Sequence, residues 1–276
     1  MHTVHEQFKR ETSHYGQPLM AGTGALEHSA STLRFTITSP CSTSYSNAQL
    51  DDYRGLSRRR FPWRPPLKLS VRARFSSSEP TLQGTAGFGF WNDPFLMTQP
   101  RLPALPRAIW FFYASPPSNM KLDWQVAGYG WKAAAVDASR PPVLLWLPLA
   151  PILVPLMNLT TVYHRLWPPI QRMLRISEAR LRLDMTQWHT YILDWGVEQS
   201  TFSLHKDENP RQELILKAPS PRGPLGFVMW MDNQYLIVTP WGKLRWGLTE
   251  SPGPQWMEID WFRIEPQARD PHWRPR

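Results

Sequence analysis

The stretch LKLSVRARF, residues 67–75, decides the fold class because its side chains alternate in character along its whole length. Apolar residues occupy every second position from Leu67 to Phe75, and Lys68, Arg72 and Arg74 fall on the opposite face. This period of two predicts a β-strand with one face in a core and the other toward solvent. Similar patterns predict further short strands at 32–38, 85–91, 108–114, 190–197, 201–205, 213–217, 226–231, 236–239 and 257–265.

The segments between these strands contain many of the 29 prolines and 15 glycines of the chain. Many short strands joined by proline and glycine turns favour a sandwich or barrel over a parallel α/β sheet. The chain has 276 residues, of which 42% are hydrophobic, so it can bury one large core. We predict a single β-sandwich domain at residues 31–268, a polar N-terminal arm without periodicity at 1–30, and a C-terminal tail at 269–276.

One segment, residues 143–183, breaks the strand pattern. Its first part, VLLWLPLAPILVPLM, is uncharged and apolar, but it is shorter than the roughly 20 residues that span a bilayer, and its prolines disfavour a continuous helix. Its second part predicts an amphipathic helix that opens at Pro168 and Pro169 and reaches about Leu183. Two interpretations stay open: a helix packed on the sandwich as ordinary core, or a lid or membrane-surface element.

The order of several segments resembles a known family. These segments are LSVRARFSSSEPTLQGTAGFGFWNDP at 69–94, AIWFFYASPP at 108–117, WHTYILDW at 188–195, STFSLHKD at 200–207 and MEIDWFRIEP at 257–266. Together they resemble the family 16 glycoside hydrolases of the concanavalin A-like lectin and glucanase superfamily. The resemblance implies an all-β, concanavalin A-like jelly-roll β-sandwich of two antiparallel sheets, with the helical, apolar segment at about 143–183 as an insert.

The sequence departs from this family at the catalytic strand. The family carries Glu-x-Asp-x-(x)-Glu there, and alternation aims these carboxyl groups into one cleft. The matching positions here are Ala108, Trp110 and Tyr113 or Phe112, and residues 101–113 contain no Asp or Glu. The triplet at 258–260, Glu-Ile-Asp, imitates the start of the motif, but its neighbours match the closing strand. We therefore expect a structural role for Glu258, and we expect Asp260 to anchor an outer strand.

The concave face of such a sandwich supplies the candidate site residues. The ligand-binding candidates are Trp91, Asn92, Trp110, Phe112, Trp230, Asn233 and Gln234. The catalytic candidates are Asp93, Tyr113 and Asp232, because an acid in an apolar pocket keeps its proton and a tyrosine can donate a hydrogen bond. Core packing for the tryptophans and turn formation for the polar residues remain alternatives. The register stays open, since a slip of one residue exchanges the two faces.

Three functions follow from these residues. The first is a non-hydrolytic protein that binds a hydrophobic or glycan-like ligand in an aromatic cleft, with an anionic membrane surface as a second partner. The second is an enzyme of the cyclase or isomerase type that acts on a hydrophobic small molecule through a lone acid or tyrosine. The third is a glycoside hydrolase with relocated carboxylates. The insert favours an apolar ligand over a polysaccharide.

The charge and the cysteine content of the chain narrow its expected binding partners and its expected cellular compartment. The net charge is +9, but no nucleic-acid motif is present, so we predict no nucleic-acid partner. The histidines are dispersed and Cys41 is the single cysteine, so we predict no metal and no cofactor. Residues 1–20 are polar and contain no apolar signal core. The expected location is therefore cytoplasmic, with peripheral membrane contact through the insert.

Overall fold

The computed structural model describes residues 2–8, 15–29, 31–94, 98–99, 102–207 and 209–268. The first strands are β1 Val4–Glu6, β2 Gln17–Ala21, β3 Gly24–Ser29, β4 Thr32–Ile37, β5 Asn47–Asp51, β6 Leu67–Phe75, β7 Thr85–Trp91, β8 Arg107–Ala114, β9 Asn119–Met120 and β10 Gly130–Asp137. Three α-helices follow: α1 Pro141–Trp146, α2 Ala150–Leu156 and α3 Thr160–Met173. The later strands are β11 Ser177–Arg180, β12 His189–Trp195, β13 Gln199–Lys206, β14 Asn209–Pro219, β15 Gly226–Asp232, β16 Gln234–Val238, β17 Leu244–Leu248 and β18 Gln255–Pro266.

Two large antiparallel sheets form a sandwich, which confirms the predicted fold class. The eight-stranded sheet has the order β14-β13-β12-β6-β18-β4-β3, with β1 also paired to β18. The seven-stranded sheet has the order β11-β10-β8-β7-β15-β5-β2. A small third sheet has the order β17-β16-β9, and its strand β16 follows β15 directly in the chain. We call β16 and β17 the hairpin from here on.

Side-chain alternation builds the core between the two large sheets. On β6 the apolar positions from Leu67 to Phe75 face the seven-stranded sheet, and on β8 Ile109, Phe111 and Tyr113 face back across the core. The intervening β8 side chains point to the other side of the seven-stranded sheet, where they belong to a second apolar cluster. The seven-stranded sheet is therefore apolar on both faces, so it needs a cover on its outer, concave side.

The strands missed by the sequence patterns lie in polar or alanine-rich segments. Residues 1–30, predicted as a polar arm, contribute β1, β2 and β3 to the two large sheets. Strand β5 was not among the predicted strands, because only its inward residues Ala48 and Leu50 are apolar. Strand β10 contains three consecutive alanines, which carry no strand signal. The predicted tail at 269–276 lies outside the described residues.

The insert is helical but shorter than predicted. Helices α1 and α2 are separate, with a 3-10 turn at Leu147–Leu149 between them, as the prolines of this segment require. Pro168 and Pro169 lie inside α3 instead of opening it, and α3 ends at Met173 instead of near 183. The chain then returns to the sandwich as β11, which pairs with β10 at the sheet edge. None of the helices among the described residues is long and apolar enough to cross a membrane.

The outer face of the eight-stranded sheet carries a row of arginine and tryptophan side chains. The guanidinium of Arg74 lies 4.7 Å from the ring centre of Trp188 and 5.5 Å from that of Trp256. Arg34 lies 4.8 Å from the same Trp256 ring. Glu258 is 3% exposed and accepts hydrogen bonds from Arg34 at 3.1 Å and from Arg74 at 2.8 Å. Glu258 thus has the structural role predicted for it.

Candidate functional site

A cavity of about 380 Å³ lies on the concave side of the seven-stranded sheet. The sheet forms its floor, the helical insert forms one wall, and the hairpin forms another. Of the twenty described residues that line it, sixteen are apolar or aromatic, and the polar ones are Gln49, Thr85, Asp232 and Gln234. Deep, mostly apolar cavities with few polar groups are the usual form of small-molecule sites. The insert thus supplies the cover that the second apolar face of the sheet needs.

Four aromatic rings form the floor of the cavity. Trp110 is central: its ring centre lies 5.7 Å from that of Trp91, 5.5 Å from that of Trp230 and 5.4 Å from that of Phe112. Trp91 donates its indole N–H to the hydroxyl of Tyr53 at 2.6 Å, which fixes one edge of the cluster. All four rings are sequence-predicted ligand-binding residues, and the structure brings them together. They offer an apolar ligand a continuous aromatic surface.

Two glycines of β7 make room for these rings. A Cβ atom on Gly87 would lie 3.0 Å from the indole of Trp230, and one on Gly89 would lie 2.6 Å from Cβ of Trp110. Gly89 also has a φ of +152°, which a residue with a side chain rarely adopts. The alternation of glycine and aromatic residues in TAGFGFW therefore lets the side chains of Trp110 and Trp230 pack closely against β7.

Asp232 is the one ionisable side chain among the described residues that line the cavity. Its Oδ1 accepts hydrogen bonds from the hydroxyl of Thr85 at 2.8 Å and from the backbone N–H of Gln234 at 3.0 Å. Thr85 accepts in turn from the indole N–H of Trp230 at 2.9 Å. Burial raises the pKa of Asp232 to about 7, and the two hydrogen bonds oppose that shift. A carboxyl group with this pKa exchanges its proton near neutral pH.

Two predicted polar residues at the end of β7 lie outside the cavity. Asn92 accepts a hydrogen bond from the backbone N–H of Arg107 at 2.9 Å and donates to the carbonyl of Leu105 at 3.0 Å. Asp93 is fully buried, has a φ of +46° and accepts from the hydroxyl of Thr98 at 2.7 Å. These hydrogen bonds join both side chains to the segment that follows the strand, and neither side chain lines the cavity.

Tyr113 and Asn233 also lie away from the cavity. Tyr113 is on the core face of β8, where its hydroxyl donates to the carbonyl of Leu82 at 2.7 Å. It cannot share a face with Phe112, and the structure resolves that alternative in favour of Phe112. Asn233 accepts from the N–H of Ser46 at 2.8 Å and donates to the carbonyl of Cys41 at 2.9 Å, so it ties a turn together.

Gln234 does line the cavity, as predicted, and the sequence patterns missed several of its neighbours. Gln49 lies in β5, which was not among the predicted strands, and Thr85 begins a strand whose signal lies in its aromatic residues. Gln49 donates to the carboxylate of Asp51 at 3.0 Å, which fixes its amide. The cavity residues of the insert and the hairpin could not be predicted from the sequence, because no sequence pattern indicates which surface an insert covers.

Helix α3 is tied to a segment that itself lines the cavity. Trp167 donates its indole N–H to the carbonyl of Leu122 at 2.9 Å, and both residues line the cavity. Gln171 donates to the carboxylate of Asp123 at 2.8 Å and accepts from the N–H of Trp124 at 3.2 Å. These bonds attach the cover to the 120–124 segment and not only to the sheet.

Large apolar side chains are exposed beside the cavity. On α1 and α2 Leu145 is 78% exposed, Trp146 52% and Ile152 62%. On β17 Leu244 and Trp246 are 66% and 67% exposed, and Leu244 also lines the cavity. We call these side chains of α1, α2 and β17 the exposed apolar surface. Such a surface on a folded protein marks a site of interaction.

Among the described residues that line the cavity, no second carboxyl group accompanies Asp232. The concave face of β8 presents Ala108, Trp110 and Phe112. Asp260 forms an ion pair with Arg72 of β6 on the outer side of the other sheet. Among the described residues, no group of three His, Cys, Asp or Glu side chains is arranged to hold a metal ion.

Comparison with known proteins places the chain by its fold. No family model and no curated protein sequence matches it. Among solved structures, the exoplasmic/lumenal domain of VIP36 in its Ca²⁺- and Man2-bound form matches with a TM-score of 0.51 and 7% identity, covering 98% of this chain and 89% of that one.

Two further structures match with lower TM-scores. A β-1,3-glucanase from Mycobacterium marinum matches with a TM-score of 0.47 and 10% identity, over 95% of this chain and 97% of that one. A legume lectin-like domain from Entamoeba histolytica matches with a TM-score of 0.48 and 7% identity, over 91% and 90%. The chain has the concanavalin A-like lectin and glucanase fold, and lectins and glycoside hydrolases share it.

Proposed function

We propose that this protein binds an apolar small molecule in the cavity and does not hydrolyse glycans. The observation that carries the proposal is the lining, in which aromatic rings and aliphatic side chains cover all but four positions. Burial of an apolar ligand against such a surface is favourable by about 25 cal/mol per Å². A ligand of drug size buries most of its surface in a cavity of this volume.

The carboxyl groups argue against glycoside hydrolysis. A retaining hydrolase needs two carboxyl groups about 5–5.5 Å apart, and an inverting one needs a pair roughly 6.5–9.5 Å apart. Asp232 is the single acid among the described lining residues, and the β8 positions that resemble the family's catalytic positions carry Ala108, Trp110 and Phe112. The described lining residues thus lack the second carboxyl group that either mechanism requires.

The polar groups also favour an apolar ligand over a glycan. Aromatic rings stack on sugars, but every buried sugar hydroxyl also needs a hydrogen-bond partner. Of the four polar lining residues, Gln49 already donates to Asp51, and Thr85 is held between Trp230 and Asp232. Too few free donors and acceptors remain to satisfy a saccharide unit.

Fluorescence titration with N-phenyl-1-naphthylamine, an apolar neutral probe, tests this proposal. We expect saturable binding to the wild-type protein and a roughly tenfold weaker Kd in Trp110→Ala, since the loss of about 60 Å² of contact costs about 1.5 kcal/mol. The matched control is Trp256→Ala on the outer sheet face, which should leave the Kd unchanged. Binding of a β-glucan oligosaccharide in calorimetry, with no binding of the naphthylamine, would overturn the proposal.

We further propose that the exposed apolar surface contacts an anionic membrane. Residues 139–177 contain four arginines and no Asp or Glu, and the hairpin adds the exposed Lys243 and Arg245 beside Leu244 and Trp246. Apolar side chains next to basic ones suit the boundary between acyl chains and acidic headgroups. Because Leu244 also lines the cavity, this arrangement gives a membrane-dissolved molecule a short route to the site.

Flotation with liposomes tests the membrane contact. We expect the wild-type protein to float with vesicles of phosphatidylcholine and phosphatidylserine, and to float less with phosphatidylcholine alone. The double variant Leu145→Glu and Trp246→Glu should lose flotation and keep its Kd for the naphthylamine. Equal flotation of the variant and the wild-type protein would contradict the assignment of this surface.

A further inference from the structure

We propose that Asp232 is a catalytic residue that moves a proton between two carbon atoms of an apolar substrate, so that the protein is an isomerase. The inference rests on the proposed function, because the cavity must first hold an apolar molecule. The substrate class is an apolar ketone with an acidic C–H bond next to its carbonyl group and a double bond one carbon further along.

The position of the carboxyl group supports proton transfer. Oδ1 is held by Thr85 and by the N–H of Gln234, which fixes the plane of the carboxyl group. Both of these donors bind Oδ1, and the carboxyl group lines the cavity, so Oδ2 is the oxygen that we assign to proton transfer with a bound molecule.

The surroundings bring the pKa of this carboxyl group close to neutral pH. Burial raises its pKa to about 7. Tyr45 is an ionisable neighbour, and its own pKa is raised by burial and by the charge of Asp232. No other described lining side chain carries a charge. Both the carboxylate and the carboxylic acid are therefore populated at physiological pH, as a group that removes and then returns a proton requires.

The step balances without any co-reactant. Carboxylate Oδ2 takes the proton from the carbon next to the carbonyl group, and the electron pair of the C–H bond passes into the conjugated enolate. The carboxylic acid then returns the proton to the far carbon of the original double bond, which moves into conjugation with the carbonyl. Asp232 ends in the state in which it began. The side-chain amide of Gln234 lines the cavity and can donate a hydrogen bond to the enolate oxygen.

Elimination of 5-nitrobenzisoxazole, an apolar carbon acid, tests the proton transfer without the natural substrate. A base removes its ring C–H proton, the electron pair forms a nitrile, and the N–O bond breaks to release a coloured phenolate. We expect turnover by the wild-type protein that rises with pH through a midpoint near 7, and at least a tenfold loss in Asp232→Asn. The control is Asp194→Asn, which removes a carboxylate from the other sheet and should retain turnover.

Two readouts separate the failure of this inference from that of the proposed function. The far-UV circular dichroism spectrum of Asp232→Asn should match that of the wild-type protein, which shows that the variant is folded. Naphthylamine binding by the wild-type protein, with benzisoxazole left at its uncatalysed rate or equal turnover in Asp232→Asn, overturns the inference alone. A pH midpoint near 4 overturns it independently of any variant. No naphthylamine binding by the wild-type protein overturns both proposals.

Discussion

Replacement of Asp232 by asparagine is expected to change how folding stability depends on pH. In the folded protein the pKa of this carboxyl group is about 7, and its ordinary value is 3.8. Between about pH 4 and pH 7 the folded protein keeps a proton that the unfolded chain has released. Each pH unit in this window therefore lowers the free energy of unfolding by about 1.4 kcal/mol, and the loss reaches about 4 kcal/mol above pH 7.

Urea unfolding of the wild-type protein and Asp232→Asn at several pH values measures this effect. The asparagine amide oxygen can still accept from Thr85 and Gln234, so the variant keeps the local structure. We expect the stability of the variant relative to the wild-type protein to rise by about 3 kcal/mol between pH 5 and pH 8. Asp52, whose burial raises its pKa to about 6, is present in both proteins and cancels in the difference. A difference that stays constant across this range would refute the reasoning.

Two further substitutions test the packing of the two sheets. Gly89→Ala would place a methyl group 2.6 Å from Cβ of Trp110 at a φ of +152°, and we expect a loss of about 2–4 kcal/mol of stability in urea unfolding, together with weaker naphthylamine binding. Glu258→Gln removes the charge between Arg34 and Arg74, and we expect a loss of about 1–2 kcal/mol at pH 7 in thermal unfolding. Because the two arginines lower the pKa of Glu258, its contribution should disappear as the pH falls below the ordinary carboxyl range.

Controls for these two variants come from the same strands. Ala86→Gly on β7 opens space without a clash, so a loss as large as that of Gly89→Ala would show that β7 tolerates no change and that the clash is not the cause. A loss in Glu258→Gln that persists at pH 3 would show that packing, and not charge, explains the effect of that substitution.

Alternation along single strands predicted the fold and most of the cavity floor. Strands β6, β12 and β18 were clear because their two faces differ in character, and β7, β8 and β15 were clear because they are short apolar runs. Trp91, Trp110 and Trp230 come together since they lie on three neighbouring strands of one sheet. Alternation could not state whether Phe112 or Tyr113 faces the cavity, because a slip of one residue exchanges them.

Polar residues were harder to place than aromatic ones. Asn92, Asp93, Asn233 and Asp232 all follow or end strands, and their sequence context looks alike. Three of them are bound by backbone groups or neighbouring side chains of loops, and Asp232 alone of the four lines the cavity. That difference depends on loop conformations, which local patterns do not contain. The strand β11 was missed for a similar reason, since SEAR has no apolar alternation and forms only by pairing with β10.

The attachment of α3 to the 120–124 segment has a mechanical consequence. Leu122 and Trp167 share a hydrogen bond and both form part of the cavity wall, so the helix cannot shift without pulling the wall that it bonds to. The volume of the cavity then depends on the position of the insert as well as on the sandwich. The contact of α1 and α2 with a bilayer that we propose would thereby change the size of the molecule that the cavity can hold.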